Sequence, residues 1–343
     1  MGIWFAPGDY NHDLAALVNK RDLLASKKPP RIVFIGGSNL STLDSPGIEN
    51  GLGKAGYAVV NMGLWGGLSM ARYLEDVTPL LAPGDSVVIC QEYATLISDT
   101  YYRYISRDGE ADKFFFLMEP WPLHNSSARR CFLDDIRDTV LLNQLKIKTY
   151  IQMLIDGDLR HSVTGGYYYY RNEYNTHGDR RMPFKRVRPL GERGARFQEP
   201  DRQRLRYLKD FNSHAQVRGI RVLFLFPPFP IDEYAHNKYQ IESLAKVLRD
   251  DIGLEILAMP ETSVFPESCF ANTVNHLLPE CERKRSAMVL ERMKALLVIH
   301  PQNRRAWLSQ RAGDKDIAVS AESTGGYTRR TSGIARPPKS INP

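Results

Sequence analysis

The sequence predicts an α/β fold built on a mainly parallel sheet, and the order of its apolar segments is the main reason. Segments that fit short buried strands occur at residues 31–35, 57–61, 86–90, 221–226 and 254–257. Helical segments separate them, and this alternation is typical of βαβ units. The chain has 343 residues, 43% hydrophobic and 25% charged, and so has room for one α/β domain of about 250 to 300 residues.

The spacing of apolar residues predicts the helices. They are expected at residues 12–25, 48–54, 69–81, 134–154, 202–218, 241–250 and 282–298. The first of them belongs to a leading segment, residues 1–30, which ends at a pair of prolines. Residues 31–300 then form the α/β domain.

Two segments stand apart from this domain in composition. Residues 157–200 are aromatic and basic, with Gly and Pro throughout, and include the run YYYYRNEY. We interpret them as an insertion or a lid, and a solvated loop is the alternative. Residues 301–343 show little periodicity and predict a disordered tail.

The charge distribution argues against nucleic-acid binding. The net charge is +7, but residues 301–343 hold eight Lys or Arg and three Asp or Glu, which is +5. The first 300 residues are therefore only +2 (7 − 5). A nucleic-acid-binding domain gathers its basic residues on a folded face instead, so we expect no nucleic-acid partner.

The four cysteines do not form a metal-binding or redox motif. No C-x-x-C pair occurs, and the spacing of Cys269, His276 and Cys281 matches no familiar zinc pattern. One disulfide is possible. We expect neither a metal ion nor another cofactor.

Polar residues follow the first three predicted strands. Ser38 and Asn39 come after the first strand and its two glycines, Gly63 lies just beyond the second, and Glu92 and Tyr93 follow the third. Ligands of parallel α/β sheets bind at the carboxyl ends of the strands. Ser38 is therefore a candidate nucleophile, and Asn39, Glu92 and Tyr93 are candidates for substrate binding. A strand-to-helix turn capped by Ser38 is the purely structural alternative.

A nucleophilic serine needs a base, and His276 is the candidate among the eight histidines. It lies in the stretch FANTVNHLLPE, between the last predicted strand and the last predicted helix. This loop belongs to the same edge of the sheet as Ser38. The other histidines lie in helical patterns or in loops without a visible partner.

These residues together resemble the SGNH/GDSL hydrolase superfamily, in the branch with a Gly-Gly-Ser-Asn nucleophile block. Gly36-Gly37-Ser38-Asn39 matches that block, VVNMGLWGGLS matches the second block with Gly63, and NTVNHLL is similar to the last block with His276. The resemblance covers residues 31–93 and 219–297. It implies a three-layer sandwich with a flavodoxin-like sheet, Ser38 as nucleophile, His276 as base, and the N–H groups of Ser38 and Gly63 as oxyanion donors.

The chain departs from the family pattern at three places. Asn272 stands where the family has the aspartate that orients the histidine; its amide can orient the imidazole as the third member of the site but cannot stabilise an imidazolium by charge. The third block, G-x-N-D, has no match, because Gln91-Glu92-Tyr93 stands in its place, so one side-chain donor to the oxyanion is missing or replaced. Cys281 occupies a position usually filled by Gly.

The resemblance implies a serine esterase or O-acyltransferase. Its expected substrate is an acyl ester of a carbohydrate or a cell-envelope polysaccharide, and a membrane-bound partner is a family trait. A non-catalytic carbohydrate-binding or scaffold protein is the alternative that the departures favour. Nucleotide binding through the Gly-Gly loop is a third, without a G-x-G-x-x-G or P-loop motif to support it.

The sequence leaves the location of the protein open. No run approaches the roughly 20 apolar residues of a membrane span, and residues 1–13 do not resemble a signal peptide. These features predict a cytoplasmic protein, whereas the family resemblance predicts the cell envelope, with an N-terminal anchor missing from this chain.

Overall fold

The computed structural model describes five parts of the chain: residues 12–53, 56–64, 66, 69–98 and 174–297. The helix predicted at residues 134–154 and the tail at residues 301–343 lie outside the described residues, as does the first part of the predicted insertion.

The described residues form seven strands. In chain order they are β1 (Arg31–Gly36), β2 (Ala58–Asn61), β3 (Ser86–Cys90), β4 (Arg221–Leu225), β5 (Phe229–Pro230), β6 (Glu255–Ala258) and β7 (Val264–Phe265). Five of them make one parallel sheet in the order β2-β1-β3-β4-β6. The two short strands β5 and β7 pair separately, also in parallel.

This strand order places a switch point between β1 and β3. From β1 the chain crosses to β2 on one side, and it then returns to β3 on the other side of β1. Crossovers in opposite directions leave a crevice at the carboxyl ends of the two central strands, which is where ligands of such sheets bind. Ser38 and Glu92 follow the two strands that border this crevice.

Helices of the described residues cover both faces of the sheet. They are α1 (His12–Ser26), α2 (Ser45–Leu52), α3 (Met70–Val77), α4 (Tyr93–Ile97), α5 (Arg206–Val217), α6 (Ile231–Lys246) and α7 (Pro279–Leu297). Val33, Val87 and Phe224 form a core with α1, α3, α5 and α6, whereas Ile32 and Leu223 face α2 and α7. The arrangement has three layers. Because each strand of the sheet is buried on both faces, its sequence is a continuous apolar run and does not alternate between apolar and polar residues.

The largest difference from the predicted helices is at α6. The predicted helix begins at residue 241, but α6 begins ten residues earlier, at Ile231, directly after Pro230. Exposed apolar residues, Ile231 and Tyr239, obscure the periodicity of its first half. Asp232 and Glu233 stabilise this end of the helix, because negative charge there opposes the helix dipole.

The described part of the predicted insertion, residues 174–200, runs along the carboxyl edge of the sheet as irregular chain. Its backbone N–H groups bind the body at several points: Arg180 donates to the carbonyl of Ser41, Val187 to that of Ala271, and Gly191 to that of Asn272. The segment is therefore held against the loop that carries His276. Among the described residues, none of the helices combines the length and the apolar character that crossing a bilayer requires.

Candidate active site

Ser38 lies at the carboxyl end of β1, where the chain leaves the sheet through two glycines. A Cβ atom at Gly36 would lie 1.9 Å from the carbonyl oxygen of Cys90, so only glycine fits this close approach of β1 to β3. Ser38 then opens a single 3₁₀ turn that ends at Leu40. Its side chain is half-buried at the switch point of the sheet.

A closed loop before α7 positions His276. A disulfide joins Cys269 to Cys281 across the loop, and an isolated antiparallel bridge pairs Phe270 with Leu277. The amide of Ala271 also donates to the carbonyl of His276, at 2.8 Å. These links hold the loop in one shape over Ser38.

Ser38, His276 and Asn272 form a continuous hydrogen-bonded chain. Nε2 of His276 lies 2.7 Å from Oγ of Ser38, and Nδ1 lies 2.8 Å from Oδ1 of Asn272. An amide oxygen only accepts, so Nδ1 carries the proton of a neutral imidazole and Nε2 is left to accept the hydroxyl proton of Ser38. The structure thus brings together the three residues predicted to act at the site.

The imidazole of His276 is covered by the segment 174–200. The ring of Phe184 stacks on it with centroids 3.7 Å apart, and the guanidinium carbon of Arg180 lies 5.0 Å from the centroid of the Phe184 ring. Burial, and secondarily the charge of Arg180, lowers the pKa of His276 to about 4. His276 is therefore neutral near pH 7, as a base that accepts the proton of Ser38 must be.

A second ionisable group contacts Ser38. Glu92 is 5% exposed, and its Oε1 lies 3.1 Å from Oγ of Ser38. Burial, and secondarily the negative charge of Glu192, raises the pKa of Glu92 to about 7, whereas hydrogen bonds that Ser38 and Asn39 can donate to the ionised carboxylate act in the opposite direction. Of the predicted substrate-binding residues, Glu92 is the one that the structure places against Oγ of Ser38.

The N–H group of Gly63, a predicted oxyanion donor, has a partner in this arrangement. It donates to Oδ1 of Asn61 at 2.7 Å. A Cβ at position 63 would lie 2.3 Å from Cβ of Leu40, so glycine is also required here by packing. The oxyanion role of Gly63 stays a prediction, and it requires the bond to Asn61 to be exchanged for one to the ligand.

A network of buried polar groups holds the turn that follows β2, next to Gly63. Nδ2 of Asn61 donates to the carboxylate of Asp179 at 2.7 Å, and Nζ of Lys20 donates to the carbonyls of Asn61 and Gly178 at 2.9 and 2.5 Å. Burial lowers the pKa of Lys20 to about 7, with the charge of Asp179 opposing. The network ties α1 and the segment 174–200 to the end of β2.

Asn39 and Tyr93, both predicted to bind substrate, lie in the interior. Asn39 is 2% exposed, and its carbonyl accepts a hydrogen bond of 2.7 Å from the fully buried Arg285 of α7. Tyr93 is 1% exposed, and its ring packs on Phe197 and Phe229 in the core. In this structure Asn39 anchors the Ser38 turn, and Tyr93 anchors the start of α4.

Three further residues at the site were not predicted from the sequence to act there. Phe184, Arg180 and Glu192 all belong to the aromatic and basic segment, whose composition was the one available signal. They reach His276 and Glu92 through tertiary contacts that no local pattern reveals. Among the described residues, no cluster of three or more His, Cys, Asp or Glu is arranged to hold a metal ion.

Comparison with known proteins adds no family to this description. No protein family model matches the chain, and no curated protein is detectably similar to it.

Proposed function

We propose that this protein is a serine esterase or O-acyltransferase that acts through Ser38 and His276. The observation that carries the proposal is the 2.7 Å hydrogen bond from Oγ of Ser38 to Nε2 of a neutral His276. This pair lies at the switch point of a doubly wound sheet, the position where such folds bind their ligands. The proposed fold family is the SGNH hydrolases, on the motifs described above.

The chemistry follows from the protonation state of the pair. Ser38 attacks the acyl carbon of an ester while His276 takes the hydroxyl proton, and the imidazolium then protonates the leaving alkoxide. The acyl group remains on Ser38 until water or a sugar hydroxyl attacks it by the reverse route. If water attacks the acyl group, the protein is an esterase; if a sugar hydroxyl attacks it, the protein is an acyltransferase.

The proposed substrate is an acyl ester of a carbohydrate, such as an O-acetylated cell-envelope polysaccharide. The family resemblance supports this class and a membrane-bound partner. The disulfide between Cys269 and Cys281 supports a location outside the reducing cytoplasm, since structural disulfides persist mainly in oxidising compartments.

One observation favours a second candidate, a carbohydrate-binding protein without catalytic activity. Asn272 orients the imidazole of His276 through Oδ1 but brings no negative charge to stabilise the imidazolium. In trypsin, the corresponding exchange of aspartate for asparagine lowers kcat by about 10⁴. A binding protein would keep its affinity for the polysaccharide when Ser38 is replaced by alanine.

A fluorophosphonate probe tests the proposal directly. We expect the purified protein to form an adduct that mass spectrometry maps to Ser38, and both Ser38→Ala and His276→Ala to lose it. His236→Ala is the matched control, because His236 is exposed on α6 and is not part of the site. Absence of an adduct on the folded wild-type protein would reject the proposed esterase or acyltransferase activity and leave carbohydrate binding as the remaining candidate function.

A further inference from the structure

We propose that Glu92 is a catalytic residue that remains protonated in the active enzyme, donating a hydrogen bond to Ser38 in the resting site and to the oxyanion during the reaction. This inference rests on the proposed function, and it adds a third oxyanion donor to the N–H groups of Ser38 and Gly63 that the family resemblance implies. It also predicts an unusual dependence of activity on pH.

The hydrogen atoms at Ser38 can be counted. Among the residues that the structure describes, Oγ has two side-chain neighbours within hydrogen-bonding distance, Nε2 of His276 at 2.7 Å and Oε1 of Glu92 at 3.1 Å, but the hydroxyl carries a single proton. Because Nδ1 of His276 donates to Asn272, Nε2 is the acceptor of that proton. The contact with Glu92 is then a hydrogen bond only if Glu92 supplies the hydrogen.

A second arrangement has the same number of protons, with an imidazolium at His276 and a carboxylate at Glu92. The surroundings disfavour both of these ions. Arg180 places a positive charge beside His276, and Glu192 places a negative charge beside Glu92. Both groups are also buried, which favours their neutral forms.

The remaining groups around Glu92 do not reverse the preference of its carboxyl for the neutral form. Hydrogen bonds that the Ser38 hydroxyl and the backbone and side chain of Asn39 can donate to the carboxylate favour the charged form, but they rank below burial and the charge of Glu192. The thiol of Cys90, on β3, has a pKa raised to about 12 and is neutral. Arg285 lies behind Cys90, with Nη2 3.2 Å from its Sγ, and Glu282 lies 3.5 Å from Arg285.

The position of the carboxyl suits an oxyanion donor. It is wedged between two glycines: a Cβ at Gly37 would lie 2.7 Å from Oε1, and one at Gly66 would lie 2.2 Å from Oε2. An oxyanion formed by attack of Ser38 is bonded to the same carbon as Oγ, so a donor that contacts Oγ lies close to it. An ionised Glu92 at this distance would repel the oxyanion, whereas the neutral acid stabilises it.

Glu92 keeps its proton throughout the reaction. The bond from Oγ of Ser38 to the acyl carbon forms while the carbonyl electron pair moves to oxygen, and the hydroxyl proton goes to Nε2 of His276. The hydrogen bond of Glu92 then shifts from Oγ to the oxyanion. When the intermediate collapses, the bond to the leaving alcohol breaks, and His276 returns the proton to that oxygen.

The test is the pH dependence of the rate at which the fluorophosphonate labels Ser38. We expect the wild-type rate to fall above about pH 7 by about tenfold per pH unit, as Glu92 ionises. Glu92→Gln, whose amide donates at every pH, loses this fall. Glu192→Gln is the matched control: it keeps the fall but moves it to lower pH, since a neighbouring negative charge is removed.

Infrared spectroscopy at about pH 5.5 gives a second measurement that needs no reaction. We expect the absorption of a buried protonated carboxyl that Glu92→Gln removes and Ser38→Ala retains. A rate that rises through pH 7 in the wild type, a fall that persists in Glu92→Gln, or an ionised Glu92 in the spectrum overturns the role of Glu92 alone. Failure of the probe to label wild-type Ser38 at any pH rejects the proposed function and this inference together.

Discussion

The ring of Phe184 lies flat on the imidazole of His276, with ring centroids 3.7 Å apart and planes inclined by 2°. Phe184 belongs to the segment 174–200, whereas His276 belongs to the loop before α7. The stack therefore joins two distant parts of the chain at His276, the proposed general base of the candidate catalytic pair. It shields one face of His276 from water and fixes the plane in which Nε2 meets Ser38.

Removing this stack is expected to make His276 more basic. In Phe184→Ala, water reaches the imidazole and the pKa of His276 rises from about 4 toward its ordinary value of 6.5, because burial is the main cause of the lowered pKa. The ring protons of His276 report this pKa in an NMR titration. Phe184→Tyr, which preserves the stack, serves as the control; a pKa that stays near 4 in Phe184→Ala contradicts the shielding role.

Restoring a negative charge beside His276 is expected to activate Ser38. In Asn272→Asp, the carboxylate takes the place of Oδ1, which lies 2.8 Å from Nδ1, and stabilises the imidazolium that forms when Ser38 loses its proton. We expect the rate of fluorophosphonate labelling to rise at least about tenfold, and the pKa of His276 to rise with it.

Asn272→Leu is the matched variant without an acceptor, and we expect it to label more slowly than the wild type because Nδ1 loses its partner. Equal rates in the wild type, Asn272→Asp and Asn272→Leu would show that position 272 does not act on His276.

Breaking the disulfide between Cys269 and Cys281 is expected to destabilise the protein and the site together. The two cysteines are 12 residues apart and enclose Asn272 and His276. Closing a loop of this size in the unfolded chain accounts for about 3 kcal/mol of unfolding free energy. We expect a loss of this order in Cys269→Ala/Cys281→Ala by urea denaturation, with slower labelling of Ser38.

Dithiothreitol provides the control for this variant. It should lower the stability of the wild type and leave the double variant unchanged. If the double variant is as stable as the oxidised wild type, the disulfide does not constrain the loop.

Glu92 is expected to make stability fall as the pH rises. Its pKa is raised from 4.5 to about 7 in the folded protein, so the folded state binds more protons than the unfolded state between these values. The stabilisation from Glu92 is thus fully present below about pH 4.5 and is lost as the pH rises through about 7. A shift of this size corresponds to about 3 kcal/mol.

Urea denaturation of the wild type and Glu92→Gln across this window measures the effect. The difference in unfolding free energy between the two proteins should change by up to about 3 kcal/mol from about pH 4.5 to about pH 8, with the wild type losing stability relative to the variant. A difference that is constant across the window contradicts the raised pKa of Glu92.

The strands of the sheet were predictable because each is a continuous apolar run with a polar or glycine boundary. All five predicted strands are confirmed to within one residue at each end, and their parallel pairing is confirmed as well. The short strands β5 and β7 were missed, since two residues leave no pattern. The start of α6 was missed because exposed apolar residues break its periodicity.

The sequence by itself determined where the candidate site lies. Local patterns place Ser38 and Glu92 directly after β1 and β3 and His276 between the last strand of the sheet and α7, and a parallel sheet brings such positions to one edge. The tertiary structure alone decided which of these groups meet and which carry protons. Ser38 and His276 are 238 residues apart and touch only in the folded chain. Their protonation and that of Glu92 depend on burial and on charges from Arg180 and Glu192, and both exist only once distant segments have packed together.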